Sequence, residues 1–414
     1  MTFLVAQLGA RMHYAVPRIL EAAGMLERLY TDFVASKGAW KALGALAWSN
    51  GLLARMAARV PEVIPANKVT HWPSFAFEYN PRQRRAGSRA ELTRVHLWAD
   101  REFCQRIIRH GLGNAAGVYT FNSAGFELLE HAKARGRLCV MEQTIAPAVV
   151  EDRLMAEEHN VFPGWEERSG QDRYRTEFAA RERAEWSSAD LILCGSEFVR
   201  GGIAACGGPA DRCRVVPYGF DPPWQQTPKT ARVSQLRALV AGAVSLQKGA
   251  PHVLHAARLI KGMARFRWVG RVALLEKAAA NMRMCLDPVG AVPRPQMAEH
   301  YNQADVFLLP SICEGSATVC YEALAAGLPV ITTPNAGSVV RDGVDGFIVP
   351  IRDAEAIAEK LELLTRDREL LRWMSANALA RPRKFTLEKY GERMLAAIRQ
   401  AQANHQAALP ASAP

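Results

Sequence analysis

The chain has 414 residues, enough for two or three domains with a substantial buried core. Apolar residues make up 49% of the chain and charged residues 22%, which excludes a disordered or fibrous protein. The formal net charge of +11 suits anionic partners such as nucleotides, lipid phosphates or nucleic acid. Nucleic acid is not expected, because no recognition motif accompanies the charge. No uncharged stretch resembles the apolar run of about 20 residues that a transmembrane helix needs.

The first residues, MTFLVAQLG, show no basic leader, long apolar region or cleavage site, so a cytoplasmic location is expected. The eight cysteines include no Cys-x-x-Cys pair, and several lie in apolar runs, which predicts reduced core residues. The sequence has no Asp-x-Asp clamp and no histidines at ligand spacing, so we expect neither a metal nor another cofactor.

Short apolar runs alternate with helical patterns along the first half of the chain. Strands are predicted at 118–121, 138–141 and 191–194, and helices near 124–135 and 172–187. This alternation predicts parallel sheets built from βαβ units.

The alternation stops in a turn-rich stretch, 218–228, and then resumes. Strands are predicted at 239–242, 266–270, 306–310, 330–333 and 346–349, and helices near 250–262, 271–284, 316–326, 353–379 and 386–404. The predicted organisation is an N-terminal Rossmann-like α/β domain (1–220), a linker (221–230), a C-terminal α/β domain (231–385), a helix crossing back to the N-terminal domain (386–404) and a disordered tail (405–414). Two such sheets facing each other form a cleft, and ligands bind at the carboxyl ends of the strands.

The segment 305–333 is the richest in candidate chemistry, because it reads as strand, loop, helix and strand. Glu314 lies on the loop at the carboxyl edge of the sheet, Gly315 admits a ligand close to the backbone, and Ser316 is expected to cap the following helix. Glu322 falls in the second turn of that helix. Two carboxylates therefore flank one amide-lined pocket, where each suits paired sugar or ribose hydroxyls. By pattern alone, a surface-loop acid and an ordinary helix acid remain an alternative.

This segment resembles the Glu-x7-Glu signature of the retaining family-4 glycosyltransferases, which have the GT-B fold of two Rossmann-like α/β domains facing across a cleft. The stretch 242–249, with Lys248, is similar to the donor-side loop of that family. Further similar segments are 189–198, 216–221, 305–311, 335–338 and 345–350. The resemblance implies transfer of a sugar from a nucleotide diphosphate to an acceptor, with retention at the anomeric carbon, in glycan, polysaccharide or glycolipid biosynthesis.

The resemblance also implies roles for individual residues. Glu322 would hold the donor ribose, and Glu314 would hold sugar hydroxyls near the reacting carbon. Lys248 would neutralise the leaving diphosphate, whose charge grows as the glycosidic bond breaks. The amides of Ser316 and Ala317 would also bind the sugar. The other donor-binding candidates are Gly242, Gly290, Gly315, Thr318 and Val319. An arginine common beside the lysine is matched here by Ala243, which leaves Arg271 as a candidate second cation.

The first strand and its loop resemble the part of the family that approaches donor phosphate and acceptor. The candidates there are Gly9, Ala10, Arg11 and His13, with Ala10 in place of the usual second glycine. His13 faces the cleft or, alternatively, packs or caps the first helix.

Glu142 follows a predicted strand where relatives commonly place a histidine. It is a candidate acceptor base or support for a positive sugar centre, and a purely structural role remains open.

Two basic features lie in the N-terminal domain, which the resemblance makes the acceptor side. One is an arginine cluster, either a solvated face or a phosphate contact: Arg82, Arg84, Arg85, Arg89 and Arg94. The other is an amphipathic stretch, 37–60, whose cationic face is Lys37, Lys41, Arg55 and Arg59. That stretch is either an ordinary packed helix or an anchor on an anionic membrane surface.

Two other functions remain as alternatives. One is a sugar-nucleotide epimerase or hydrolase on a similar fold, and the other is a non-catalytic sugar-nucleotide-binding protein. The sequence does not select the nucleotide, the sugar, or an acceptor among glycans, lipids and small molecules.

Overall fold

A computed structural model describes residues 1–35, 59–168, 170, 172–222 and 235–408. The described residues form two sheets whose strands are all parallel, each flanked by helices. The prediction of two α/β halves is therefore confirmed. The predicted linker, 221–230, lies mostly outside the described residues.

The N-terminal sheet has seven strands in the order β3-β2-β1-β4-β5-β6-β7. They are β1 (Phe3–Ala6), β2 (Leu26–Thr31), β3 (Val69–His71), β4 (Gly117–Phe121), β5 (Leu138–Gln143), β6 (Leu191–Cys194) and β7 (Cys213–Val215). The helices of this half are α1 (Ala15–Ala22), α2 (Pro73–Arg85), α3 (Arg89–His110), α4 (Phe126–Lys133), α5 (Ala148–Val161), α6 (Arg175–Ser188) and α7 (Glu197–Ala205).

Alternate side chains of the central strand β1 enter different cores. Phe3 packs in the cluster that contains Tyr14, whereas Leu4 packs on the opposite face with Phe103 and Ile107. Both faces of the sheet are therefore covered, which explains why the strands read as continuous apolar runs.

The C-terminal sheet has six strands in the order β10-β9-β8-β11-β12-β13. They are β8 (Leu236–Ala241), β9 (Ala264–Val269), β10 (Leu286–Gly290), β11 (Val306–Leu309), β12 (Val330–Thr332) and β13 (Gly346–Ile348). The helices are α8 (Ala250–Leu259), α9 (Glu276–Arg283), α10 (Met297–Gln303), α11 (Thr318–Ala325), α12 (Ala354–Arg366), α13 (Arg368–Ala380) and α14 (Leu387–Ala408).

The single helix predicted near 353–379 is two helices in the structure. The break falls at Asp367, whose carboxylate accepts hydrogen bonds from the amides of Glu369 and Leu370 and so caps α13. Apolar periodicity continues across this break, which is why the pattern alone did not show it.

Helix α14 crosses back to the N-terminal half and packs on α1, β5 and β6. Tyr390, Met394 and Ile398 are its buried residues in that core. The helix extends four residues past the predicted end at 404, with His405 Nε2 3.1 Å from the carbonyl oxygen of Gly136. This corrects the predicted tail, of which 409–414 lie outside the described residues.

Six of the eight cysteines are buried, and all eight are free thiols. The sequence-based prediction of reduced core residues is confirmed for those six. Cys206 and Cys285 are partly exposed.

Most of the amphipathic stretch proposed as a membrane anchor, 37–60, lies outside the described residues, which do not include 36–58. Arg59 is described, and its guanidinium lies 2.5 Å from Asp32, a carboxylate with only 2% exposure. Arg59 is therefore committed to an internal ion pair, which corrects its placement on a free cationic face. Within the ranges that the structure describes, no helix has the length and apolarity to cross a membrane.

The predicted arginine cluster is partly used within the fold. Arg82 pairs with Glu78 at 2.5 Å and stacks over the ring of Trp98, and Arg89 lies 2.8 Å from Asp152. Only the remaining members, Arg84, Arg85 and Arg94, are exposed without a described ion pair.

Glu185 on α6 is an acid buried in the N-terminal core. Its carboxylate accepts hydrogen bonds from the amides of Ser123 (2.8 Å) and Gly125 (2.9 Å) at the start of α4. Burial penalises the charged form more than these amides stabilise it, which raises the pKa of Glu185 to about 7.

We predict that Glu185 makes stability fall as the pH rises. When folding raises the pKa of an acid, the free energy of unfolding decreases as the pH rises from the unfolded pKa, about 4.3, to the folded pKa. The wild-type protein should therefore lose about 3 kcal/mol relative to Glu185→Gln between pH 4.5 and pH 8. Thermal melts of both proteins across this range measure the difference. A gap that does not change with pH would contradict the raised pKa.

Candidate active site in the cleft

A cavity of about 720 Å³ lies where the carboxyl ends of the two sheets face each other. Most of the predicted site residues line it: Gly9, Ala10, Arg11, His13, Lys248, Glu314, Gly315, Ser316, Ala317, Thr318 and Val319. Four predicted site residues do not: Glu142, Gly242, Gly290 and Glu322. The cavity also contains Tyr218, Asp221 and Arg294, which were not among the predicted site residues.

Glu314 and Lys248 contact each other across the cavity wall. Glu314 follows β11, and its amide donates to the carbonyl of Asn335 (3.1 Å). The ammonium of Lys248 contacts Glu314 Oε1, and each side chain is 17% exposed. A carboxylate and a cation thus lie side by side, both accessible to a ligand.

Gly242 shapes the path of the Lys248 side chain. A Cβ atom at Gly242 would lie 3.1 Å from Lys248 Cε, closer than nearly all real contacts. The absence of a side chain at Gly242 therefore leaves the space that the Lys248 chain occupies. Gly290 ends β10, and its carbonyl accepts from the amide of Gly270 (2.9 Å).

The start of α11 differs from the prediction in two respects. The residue before the helix is Ala317, which offers no side-chain cap, and the hydroxyl of Ser316 lies 3.2 Å from that of Tyr321 instead. The amide of Ala317 donates to the carbonyl of Ala336 (3.0 Å) and is not free to bind a sugar. The first-turn residues Thr318 and Val319 line the cavity, where uncapped amides favour an anion.

Glu322 lies one layer behind the cavity wall. Its Oε2 accepts a hydrogen bond from the hydroxyl of Tyr301 (2.9 Å), and Oε1 lies 3.2 Å from the guanidinium of Arg294. Burial raises the pKa of Glu322, although Arg294 and Tyr301 partly offset that effect. Arg294, which lines the cavity, thus connects it to the Glu322 carboxylate.

Arg294 is the second cation of the C-terminal side of the cavity. It follows β10, its side chain is 56% exposed, and its other terminal nitrogen lies 3.5 Å from His13 Nε2 of the N-terminal half. Arg271, the sequence candidate for this role, is exposed and does not line the cavity. No sequence pattern pointed to Arg294, because the strand that precedes it, β10, was not predicted.

The loop after β1 has an unusual backbone. Met12, His13 and Tyr14 are consecutive left-handed residues, with φ of 47°, 51° and 60°. Each costs about 1–3 kcal/mol in a residue other than glycine. Ala10 has a φ of −105°, which any residue adopts, so alanine is accepted at the position of the family's second glycine. The strain places Arg11 and His13 at the cavity, as the sequence predicted.

Glu142 lies within β5 and is 2% exposed. The strand extends two residues past its predicted end, so Glu142 is a strand residue whose Oε2 accepts hydrogen bonds from Tyr119 (2.6 Å) and Tyr390 (3.3 Å). Burial and the nearby Glu142 charge raise the pKa of both tyrosines well above its ordinary value.

Arg11 connects Glu142 to the cavity. Arg11 Nε lies 3.5 Å from Glu142 Oε1, while its Nη2 donates to the hydroxyl of Tyr218 (2.7 Å) and its guanidinium stacks over that ring. Because Glu142 does not line the cavity, its position favours holding Arg11 over removing an acceptor proton directly.

A second cavity, of about 1090 Å³, lies at the amino ends of β8, β9 and β10. Its four arginines are already engaged: Arg237 with Asp305, Arg265 with Gln235, Arg267 with Asp287 and Arg283 with Glu276. The ends of the strands that bind ligands in parallel sheets face the smaller cavity instead. No cluster of three metal-binding side chains occurs among the described residues.

Comparisons with known proteins agree with this architecture. The structure is similar to sucrose-phosphate synthase from Thermosynechococcus elongatus (TM-score 0.64, 17% identity, 98% of this chain and 100% of that chain). It is also similar to HepE from Anabaena in complex with UDP-glucose (TM-score 0.59, 16% identity, 97% of this chain and 100% of that chain). The fold is therefore the GT-B fold that the sequence predicted.

Residues 235–367 match the family model described as Glycosyl transferases group 1. The chain is 28% identical over 194 residues to the amylovoran biosynthesis glycosyltransferase AmsK of Erwinia amylovora. That alignment covers 43% of this chain and 48% of AmsK, so the matched part spans about half the length of the relative. Residues 235–367 of the C-terminal half are thus similar to the group 1 glycosyl transferases.

We predict that Glu142 contributes mainly to stability. Glu142→Ala leaves buried hydroxyls unpaired and removes the counter-charge of Arg11, at a cost of about 3 kcal/mol. Glu142→Gln should lower the melting temperature less, because its amide oxygen still accepts from Tyr119. An acceptor base would behave differently: Glu142→Gln would lose kcat at an unchanged melting temperature.

Proposed function

We propose that the protein is a retaining glycosyltransferase that takes its sugar from a nucleoside diphosphate. The observation that carries the proposal is the cavity at the carboxyl edge of the C-terminal sheet, where Glu314, Lys248 and the start of α11 meet. This cavity lies against the segment that matches the group 1 glycosyl transferases. The Glu-x7-Glu spacing of Glu314 and Glu322 supports the finer assignment to family 4.

In the proposed complex each charged group has a partner on the donor. Glu322 accepts hydrogen bonds from the ribose hydroxyls once Arg294 moves aside. Lys248 and the displaced Arg294 neutralise the diphosphate, and the amides of Thr318 and Val319 add to that field. Glu314, released from Lys248, accepts from hydroxyls of the sugar.

The chemistry proceeds by breakage of the bond between the anomeric carbon and the diphosphate. Negative charge grows on the departing phosphate oxygen, and fixed cations beside it lower the barrier because they require no reorganisation. We assign this role chiefly to Lys248, for whose chain Gly242 leaves room. The acceptor hydroxyl enters from the N-terminal side, past the loop that carries Arg11 and His13.

The proposal extends to the donor and to the pathway. HepE is similar in fold and has been solved with UDP-glucose, which makes uridine diphosphate the first nucleotide to test. AmsK is a glycosyltransferase of amylovoran biosynthesis, which supports assembly of a polysaccharide as the role of this chain.

We predict that Glu322→Ala weakens donor binding. Loss of charge-assisted ribose contacts should raise the dissociation constant by about 10- to 150-fold. The loss should be as large for uridine as for UDP, because both carry the ribose. Isothermal titration calorimetry measures both, and Glu299→Ala, an exposed acid on α10, is the matched control. Unchanged affinity for uridine would exclude the ribose role.

We predict transfer that requires an acceptor and no added metal. A panel of nucleotide sugars with oligosaccharide acceptors should release nucleotide only when an acceptor is present, and excess chelator should leave the rate unchanged. NMR of the product should show the anomeric configuration of the donor. Release without acceptor would indicate the hydrolase or epimerase alternative, and binding without release would indicate a sugar-nucleotide-binding protein.

A further inference from the structure

One segment of the N-terminal half reaches across to the C-terminal half beside the Lys248 loop. We call it the arm and define it as residues 157–166, the end of α5 and the turn that follows. Its contacts fall on four separate segments of the C-terminal half, at Leu246, His252, Leu275 and Arg352.

The arm is anchored by a buried acid. Glu158 has no exposed surface, and its carboxylate lies 2.5 Å from Arg352 Nε and 3.1 Å from His252 Nε2. Burial alone would raise the pKa of Glu158, but hydrogen bonds from His252 and Arg352 outweigh it and lower the pKa. The anchor is therefore a charged, fully paired group, which fixes the arm against the C-terminal half.

Further along the arm, aromatic and backbone contacts continue the interface. The ring of Phe162 meets the ring of His252 edge to face at 5.2 Å. The carbonyl of Trp165 accepts from the amide of Leu275 (2.7 Å), and the Trp165 ring packs against the C-terminal core.

The last contact of the arm reaches the loop that carries Lys248. Glu166 Oε1 accepts a hydrogen bond of 2.6 Å from the amide of Leu246. Leu246 is the first residue of a turn that contains Lys248, because its carbonyl accepts from the amide of Gly249 (2.9 Å). The turn that carries Lys248 is therefore hydrogen-bonded, through the amide of Leu246, to the N-terminal half of the molecule.

The same turn is braced against the loop that leads to Glu314. The carbonyl of Gln247 accepts from the amide of Ile312 (2.9 Å), and its side-chain amide donates to the carbonyl of Cys313 (2.9 Å). A displacement of the turn would thus move both Lys248 and the approach to Glu314.

We propose that Glu166 is a positioning residue for Lys248. It holds the Leu246 turn in place from the opposite half of the molecule, so that the lysine ammonium lies where the diphosphate binds. This inference rests on the proposed function for the role of Lys248. The new element is that diphosphate binding depends on Glu166, a residue of the N-terminal half that does not line the cavity.

The test compares Glu166→Ala, Glu166→Gln and the neighbouring exposed acid variant Glu167→Ala. Glutamine keeps an acceptor oxygen for Leu246 but removes the charge, so it separates the hydrogen bond from the electrostatic effect. Calorimetry with UDP and with uridine separates diphosphate contacts from ribose and base contacts. Hydrogen–deuterium exchange of peptides covering 242–249 reports the turn directly.

Glu166→Ala should weaken UDP binding by about 5- to 30-fold, less than the full effect of a hydrogen bond to a charged group, because the loss reaches the diphosphate only through Lys248. Uridine binding should change less than about twofold, and exchange over 242–249 should become faster. Glu166→Gln and Glu167→Ala should resemble the wild type within about threefold. In a Lys248→Met background, Glu166→Ala should cause no further loss of UDP affinity, because coupled residues are not additive.

Equal losses for UDP and uridine would overturn the proposal, since they would show a general structural effect. An additive loss in the Lys248→Met background would overturn it as well. If the wild-type protein bound neither UDP nor uridine, the proposed uridine nucleotide would be wrong. Faster exchange over 242–249 in Glu166→Ala would then still support the positioning of the turn, and unchanged exchange would overturn it.

Discussion

The site depends on how closely the two halves approach each other at Gly315. A Cβ atom there would lie 2.0 Å from the carbonyl oxygen of Thr144, so any side chain would force the halves apart. The carbonyl of Gly315 also accepts a hydrogen bond of 2.5 Å from Ser196 of the N-terminal half. Glu314 is the residue before this contact. The close packing of the two halves at Gly315 therefore also determines how deep the Glu314 carboxylate lies in the cleft.

Ion pairs form in and beside the cleft before any ligand is considered. Three carboxylates each have a cation beside them, as the pairs Glu314–Lys248, Glu322–Arg294 and Glu142–Arg11. Leaving a partly buried charge without a partner is costly, which explains the pairing. A nucleotide sugar offers both kinds of partner, because its hydroxyls suit the carboxylates and its diphosphate suits the cations. In the proposed function, binding therefore exchanges ion pairs at little electrostatic cost.

The two pairs that face the C-terminal sheet differ from the pair within the N-terminal half. Lys248, Glu314 and Arg294 are partly exposed to the cavity, whereas Arg11 is stacked on Tyr218 and Glu142 is buried among tyrosines. The accessible pairs suit contact with a donor. The Glu142–Arg11 pair suits a structural role, in which it keeps the loop after β1 in its strained conformation.

Much of the fold and part of the site followed from sequence. The alternation of apolar runs with helical periodicity predicted two parallel sheets. A strand end then predicted that Glu314 would lie at the cleft, and the resemblance of 242–249 to a donor-side loop predicted the same of Lys248. Local pattern could not show that the amide of Ala317 is used by Ala336, or that α11 begins after an uncapped alanine. Both depend on the neighbouring chain at 334–337.

Long-range partners were beyond the reach of sequence patterns. Arg294 pairs with Glu322, which lies 28 residues further along the chain. Glu166 of the N-terminal half accepts a hydrogen bond from the amide of Leu246 in the C-terminal half. Neither residue carries a motif, and both look like ordinary surface charges in the sequence. Tertiary packing alone gives them a role.

The central claim, that this cleft binds a nucleoside diphosphate, is tested most directly by hydrogen–deuterium exchange with saturating UDP. We predict protection in peptides covering 242–249 and 312–325, at the carboxyl ends of β8 and β11. No protection anywhere, or protection confined to the cavity at the amino ends of β8, β9 and β10, would contradict the claim.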